Sequence, residues 1–546
     1  MARSKELSRF LGRDIAAKAL PDIQVNDRPL RVVGQESLAA LTGLNDKLAF
    51  PRLYVRGGEP VRVKYDESGE LGIQDLTTDH VLYELTRAAN FYRMPKRGAP
   101  EDVFPPRDVA RYVLSPTRWA LPSLSGIITI PTFRPDGSVL DKRGYDPATG
   151  LVYDPPAGFG VSVPEEPTAE QVDAALALID EWIGQFPYQD KASLANTLAL
   201  ALTPVLREAI TGPVPLAAID KPTPGTGATL LVESLAVATS GAEPGALGVT
   251  KDDDETRKQI TAKLRTGERW LFLDNVAVEL KTSSLARALT ATVWEDRILG
   301  VSKTTRVPQR AVWVATGNNL GLSLEIARRS YWIRMDAKLA NPWERPATAF
   351  KHPDLKDWTR AHRAELLSAL LAIGRNWFAK GKPVPGGAPI LGSFESWSRT
   401  LAGVLEAAGV EGFLQNSAQL YERAAEDTGS WEAFLDAWRT AYDGERVTAR
   451  RVAEDLYKGD YKAMREALPD EFGLIDDNHL DKNLAKRLGH AFAKREGVRY
   501  GPERLHLARA GKESRAVLWT TWVGDGPRGA GPDGGEKVSL VSYMSS

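Results

Sequence analysis

VPLAAIDKPTPGTGATLLVESLAVATSG (214–241) is the stretch that decides the fold class. An apolar run without alternation, VPLAAI, enters a loop of two prolines and two glycines, and an apolar helix opens at Thr229. Continuous apolarity is what a strand buried on both faces requires, as in a parallel sheet covered by helices. The loop–helix junction converges backbone N–H groups on the positive end of a helix dipole, which suits a phosphate. Gly225 and Gly227 let the backbone approach such an anion, and Thr229 stands where a hydroxyl would meet Mg2+. One position breaks the pattern: Ala228 replaces the lysine that such loops direct at phosphates. Taken alone, a Gly-Thr-Gly turn before a helix is equally well an ordinary strand–helix turn.

What lifts the signal is the order of the segments that follow. RWLFLDN (269–275) is a buried-strand run ending in Asp274, as a strand does when it presents a carboxylate to metal-bound water. RAVWVATGNN (310–319) is a third such run, ending in Asn318 and Asn319, where a polar tip can orient an attacking water. IARRSYWIRMD (326–336) sets Arg328 and Arg329 just before a fourth strand. An exposed arginine there can reach a neighbouring subunit's nucleotide. Each element has a plain reading, since apolar strands end in polar turns and paired arginines face solvent. Their joint order over about a hundred residues argues for the functional one.

Working outward, 546 residues exceed one hydrophobic core and predict about three or four domains. Residues 1–160 read as an α+β unit, with a hairpin turned at Gly57-Gly58, a helix over 76–93 and three short strands over 121–156. AGFGVSVPEEPT (157–168) reads as a linker. Residues 161–385 hold the parallel α/β core, with helices from Thr168 and over about 189–210, closed by KGKPVPGGAP (380–389). Residues 390–525 read as a mostly helical domain with Trp397, Trp431 and Trp438 at helical spacing, ending in a basic helix and short strands compatible with a winged helix. The tail 526–546 is Gly-rich and predicted to be disordered. The fold class is therefore a multidomain α/β chain.

Composition sets further bounds. The absence of cysteine excludes disulfides and thiolate metal sites, and six histidines without metal-binding spacing argue against a protein-ligated transition metal. No apolar run approaches the roughly 20 residues of a membrane span, and the start lacks a secretory core, so a cytoplasmic location is expected. Lys+Arg 70 against Asp+Glu 71 gives net charge -1, which neither requires nor excludes nucleic acid, because a ring needs positive charge only along its bore.

The set PTPGTGATLL, WLFLDN, VWVATGNN and ARRSYWIRMD resembles the ATPase core of phage, plasmid and mobile-element replicative helicases. These are AAA+ proteins related to superfamily 3, often fused to or partnered with a primase. The flanks LPSLSGIITIPTFRPDG, GYDPATGLVYDPP and LGSFESWSRTLAGVLEAAGVEGFLQN are similar too, so the resemblance spans most of residues 20–440. It implies ATP and Mg2+ as cofactors, held by Lys221, Pro224, Gly225, Thr226, Gly227, Ala228, Thr229 and Leu230. Thr229 and Asp274 would face the metal, Asn275 and Asn318 the attacking water, and Arg328 or Arg329 would be the finger in trans. In RILGVSKTTRVPQRAVW (297–313) it implies a hairpin with Lys303 and Arg306 at its tip against DNA, an ordinary basic surface hairpin being the alternative. The implied partners are single-stranded or forked DNA, further copies of the chain in a hexamer, and a primase; the implied setting is a bacterial host.

Two departures matter. Ala228 removes a phosphate cation, and Asn275 stands where many AAA+ proteins carry a water-polarising glutamate. Losing either costs several kcal/mol of transition-state stabilisation. Lys221 could swing in as a substitute, the alanine could be an engineered trap, or the site could bind nucleotide without turnover. DDDE (252–255) and Glu279 are possible sources of the missing carboxylate. The basic helix ETRKQITAKLRTG (255–267) reads first as a solvated face and second as a contact to DNA or a neighbour, and NLAKRLGHAFAKR is equally a recognition helix or a helix with a dipole-matched basic end. Two function classes stand: an ATP-driven ring helicase or loader, and a non-hydrolysing assembly protein with a degenerate loop. Primase is a weaker third, since the N-terminal part lacks a pair of acidic strand ends with a histidine partner.

Overall fold

A computed structural model describes residues 20–524, apart from 49, 68, 117, 299–302, 340, 425, 470–471, 474–480, 482, 499, 501–502 and 515. The chain divides into two compact units, 1–420 and 421–546. The first is mixed α/β around a five-stranded parallel sheet. From one edge to the other its strands are Ala246–Leu247, Trp270–Leu273, Val312–Asn318, Leu216–Lys221 and Ser330–Arg334. Every residue of Leu216–Lys221 and Trp270–Leu273 is buried, as two-sided helix cover demands. The Asn318 strand therefore lies between the strand that feeds the glycine loop and the strand that ends at Asp274.

The helices beside this sheet begin where short polar side chains cap them. Thr168 accepts from Gln171 N and receives its side chain in return, starting Ala169–Ile183, and Asp190 caps Lys191–Leu206. The expected linker over 157–168 has no regular structure but is held down: Ser162 N–H donates to Ser368 Oγ, and Arg375 Nε donates to Glu165 O.

Ahead of the core, Leu53–Arg56, Glu59–Tyr65 and Leu71–Asp75 form an antiparallel meander. Its first turn is Gly57-Gly58, with φ 60 and 88, the left-handed pair that a two-residue hairpin loop requires. The helix expected over 76–93 ends sooner. It spans Thr78–Ala88, after which Asn90–Arg93 pairs parallel to Asp22–Gln24, because buried Phe91 lies between exposed Asn90 and half-buried Tyr92 in strand alternation. Residues 121–156 hold five short strands, not three, with turns at Pro135-Asp136-Gly137 and Pro147–Gly150.

Residues 390–420 pack within the first unit, which differs from the boundary read from sequence. Trp397, fully buried in helix Glu395–Ala407, donates its Nε1 to Thr203 Oγ1 at 3.0 Å and lies against Tyr331. Its partners, Thr203 of helix Lys191–Leu206, Tyr331 of strand Ser330–Arg334 and Phe413, all belong to the first unit. The second unit has its own core, where Trp431 and Trp438, two turns apart on Glu426–Tyr442, meet Phe492 and other buried residues. Its order is helix, strand Val447–Thr448, helices Ala449–Asp455, Lys462–Glu466 and Leu484–Lys494, then the hairpin His506–Glu513 and Ala516–Trp522. Strand Ala516–Trp522 sits between the other two. The Gly-rich tail falls outside the described residues. Among those residues no helix is long and apolar enough to cross a membrane.

Candidate functional site

The glycine loop lies at the carboxyl end of strand Leu216–Lys221, where ligands of parallel sheets are received. Gly225 and Gly227 have φ 77 and 92. A Cβ at Gly225 would lie 3.0 Å from Trp343, and one at Gly227 3.2 Å from Phe186, so both spacings suit glycine. Helix Ala228–Ser240 opens on Gly227 with no side-chain cap, leaving its first N–H groups without a side-chain acceptor. Thr223 Oγ1 is buried in the loop without a hydrogen-bond partner. Pro224 is exposed, Thr226 and Ala228 are buried, and Leu230 is half-buried.

Lys221 ends strand Leu216–Lys221 at 7% exposure. Its ammonium makes no ion pair or hydrogen bond among the described residues. Burial holds its pKa below the ordinary lysine value, and the charges of Asp274 and Asp220 oppose that shift in part. A buried cation and an orphan hydroxyl beside uncapped helix N–H groups form a cradle that fits phosphate oxygens.

Thr229 and Asp274 are brought together: Thr229 Oγ1 donates to Asp274 Oδ1 at 2.9 Å. Thr316 Oγ1 donates to the same oxygen at 2.6 Å and accepts the Asn275 N–H at 3.0 Å. Sequence reasoning passed over Thr316, although a hydroxyl inside an otherwise apolar strand was the available sign. Asn275 has φ 48, a left-handed conformation that asparagine tolerates, and its side chain is exposed. Asn318 is exposed at its strand tip, in register with Lys221, and Asn319 N–H donates to Lys221 O at 2.8 Å.

Asp220 was also missed. Buried in strand Leu216–Lys221, it pairs with Arg334 and accepts Leu320 N–H at 2.7 Å, which ties the outer strand to the tip of the Asn318 strand.

The acidic run 252–255 does not supply a spare carboxylate. Asp252 caps helix Asp253–Thr266, Asp253 accepts from Ser283 and Ser284, and Asp254 and Glu255 pair with Arg257 and Lys258. Glu279 pairs with Lys281 at 2.6 Å. The helix expected as a solvated face uses its cations internally: Arg257 also reaches Asp296, and Arg265 reaches Asp75.

The two candidate finger arginines separate. Arg329 is held by Glu325, through the carbonyl at 2.7 Å and the carboxylate at 3.3 Å, whereas Arg328 is exposed. Both precede Ser330, which pairs with Leu216 at the opposite end of strand Leu216–Lys221 from Lys221. Five residues at about 3.3 Å each separate the two ends by roughly 17 Å. Arg328 is thus far from the glycine loop of its own chain.

Val293–Arg297 and Thr304–Pro308 form the expected hairpin, whose turn at 299–302 is outside the described residues. Lys303 adjoins that turn and pairs with Glu59 at 2.7 Å. Arg306 is exposed but lies down the strand opposite Glu295, not at the tip. A Cβ at Gly57 would come within 1.4 Å of Arg306 O, so the Gly57-Gly58 turn rests directly on this hairpin.

No protein-family model matches the chain, and no curated protein matches it. Solved structures similar to it include the apo A form of the NrS-1 C-terminal region, at TM-score 0.34 and 12% identity over 85% of this chain and 96% of that one. Another is SCCmec type IV Cch, described as an active helicase, at TM-score 0.33 and 13% identity over 87% of this chain and 93% of that one.

Proposed function

We propose that the first unit is a nucleotide-driven motor of the AAA+ class that assembles as a ring and acts on single-stranded or forked DNA. The observation that carries this reading is the hydrogen bond from Thr229, in the first turn of the helix after the glycine loop, to Asp274 at the tip of a strand two places away, with the Asn318 strand between. In this reading the loop N–H groups and Lys221 bind the phosphates of ATP, and Thr229 and Asp274 hold Mg2+. The metal, when bound, neutralises phosphate charge. Thr316 fixes the Asp274 carboxylate, and Asn318 orients the attacking water. Arg328, remote from its own loop, serves a neighbour's site, which is why a closed ring is needed. Lys303 and Arg306 would meet DNA phosphates from the hairpin.

The second unit supports a DNA role by its order of elements, helix–strand–helix–helix–helix–hairpin, which reads as a winged helix with Leu484–Lys494 in the recognition position. Lys486 and His490 are exposed on that helix. We place the activity in replication of a phage or mobile element, with a primase as a partner in the same process.

The test combines ATP turnover with unwinding of a forked duplex by wild type and Asn318→Ala, alongside particle imaging with nucleotide. Turnover-dependent unwinding that the variant loses is expected; no turnover and no oligomer under any condition would overturn the motor reading. Asn275 and the internally used acidic residues favour a second reading, a nucleotide-gated assembly protein. Oligomerisation driven by ATP without phosphate release would select it.

A further inference from the structure

At the amino end of the sheet, opposite the glycine loop, lies a cavity of about 390 Å³. Leu71 and Ile73 of the N-terminal meander, Ile127, the 154–157 segment and the start of the Asp274 strand enclose it. Its size is within the range of small-molecule sites.

Arg143, Arg269 and Arg363 line the cavity beside Glu70, Asp154, Glu243 and Glu268. Arg363 lines the cavity at 8% exposure; its Nε donates to Ala238 O and its Nη2 to Thr129 Oγ1. No carboxylate pairs with it among the described residues, and burial lowers its pKa to about 10. Arg269 also lines the cavity, and its buried Nη1 has no hydrogen-bond partner. Its Nη2 shares Glu208 with Arg310, and Arg207 lies beside them, bonded only to carbonyl oxygens. Arg207, Arg269 and Arg310 line a smaller adjoining cavity of about 100 Å³ that shares Arg269, Thr129 and Ser240 with the first. Three guanidinium groups, of Arg207, Arg269 and Arg310, thus share one buried carboxylate, Glu208, while Arg363 has none among the described residues.

Three of the four lining carboxylates have cations of their own. Asp154 pairs with Arg143, Glu268 with Lys263, and Glu243 with Lys356 and Arg360. Glu70 is exposed. Buried charges are ordinarily paired, and guanidinium is the side chain best shaped to grip phosphoryl oxygens. Gly241 keeps this approach open: a Cβ there would lie 3.0 Å from Arg363 Nη1.

We propose that this cavity is a second anion site, separate from the glycine loop, which binds a phosphoryl group as free phosphate or on a small phosphorylated solute through Arg363 and Arg269. It stands on observations independent of the motor reading.

The test is calorimetric titration of the full chain with inorganic phosphate and with adenosine monophosphate, at constant ionic strength, with chloride as control. Arg363→Gln removes the unpaired cation. Ala157→Trp obstructs the mouth from an exposed lining residue and guards against a folding defect in the first variant. Lys221→Met disables the loop cradle. Phosphate affinity should fall at least about tenfold in the first two variants and persist in the third. Stronger binding of the monophosphate than of free phosphate, lost in the same two variants, would assign the ligand to phosphorylated solutes. Binding that disappears only in Lys221→Met, that neither cavity variant weakens, that chloride reproduces, or that is absent from the wild type would overturn the proposal.

Discussion

Replacing Lys221 with methionine isolates the feature on which nucleotide binding rests. The side chain keeps its length and apolar stem but loses its charge. At about 4 Å and an effective dielectric of about 20, a unit charge pair is worth about 4 kcal/mol. Desolvation of the phosphate oxygens offsets roughly half of that, leaving about 2 kcal/mol, or about thirtyfold in affinity. Lys221 is 7% exposed and without an ion-pair contact, so removing its charge should leave the apo melting temperature unchanged or higher. Fluorescent-ATP titration beside thermal melting reads both quantities. Adding Ala228→Lys to Lys221→Met should restore part of the affinity, by returning a cation from the helix side.

The same residue predicts a pH dependence. Burial lowers its pKa below the ordinary lysine value. The ammonium that attracts phosphate is fully present below that lowered pKa and is lost as pH rises through it. Wild-type affinity should therefore decline at a pH below the usual lysine range, and Lys221→Met should lack this step. Unchanged ATP affinity in Lys221→Met, with no pH step in the wild type, would refute the assignment.

Three further outcomes follow. Arg328→Ala should abolish cooperative turnover with ATP affinity intact, whereas Arg329→Ala should lower the melting temperature, since Arg329 is tied to Glu325; turnover, binding and melting assays distinguish them. Lys303→Ala breaks a surface pair with Glu59 and should cost less than about 1 kcal/mol of stability, yet reduce the salt slope of DNA binding by about 1, read by anisotropy across a salt series. Trp397→Ala should destabilise the first unit by about 3–5 kcal/mol, measured by denaturant unfolding, because its indole is fully buried and hydrogen-bonded to Thr203.

The sequence alone determined the runs that became the sheet, the glycine loop and the order of its polar strand tips. Unbroken apolarity in 216–219 and 270–273 and left-handed glycines at a strand–helix junction are local signals, written in neighbouring residues. The Gly57-Gly58 turn was legible for the same reason.

Tertiary structure decided what depends on residues far apart in the chain. It joined Thr316 to Asp274 and Asp220 to Arg334, consumed the 252–255 carboxylates in caps and ion pairs, and freed Arg328 while binding Arg329. It moved residues 390–420 into the first unit through Trp397, and it gathered Arg207, Arg269 and Arg310 around one carboxylate. Periodicity reports which face of an element is apolar, but only strand order and packing decide which charges meet. Buried charges are the groups whose energy depends most on that outcome.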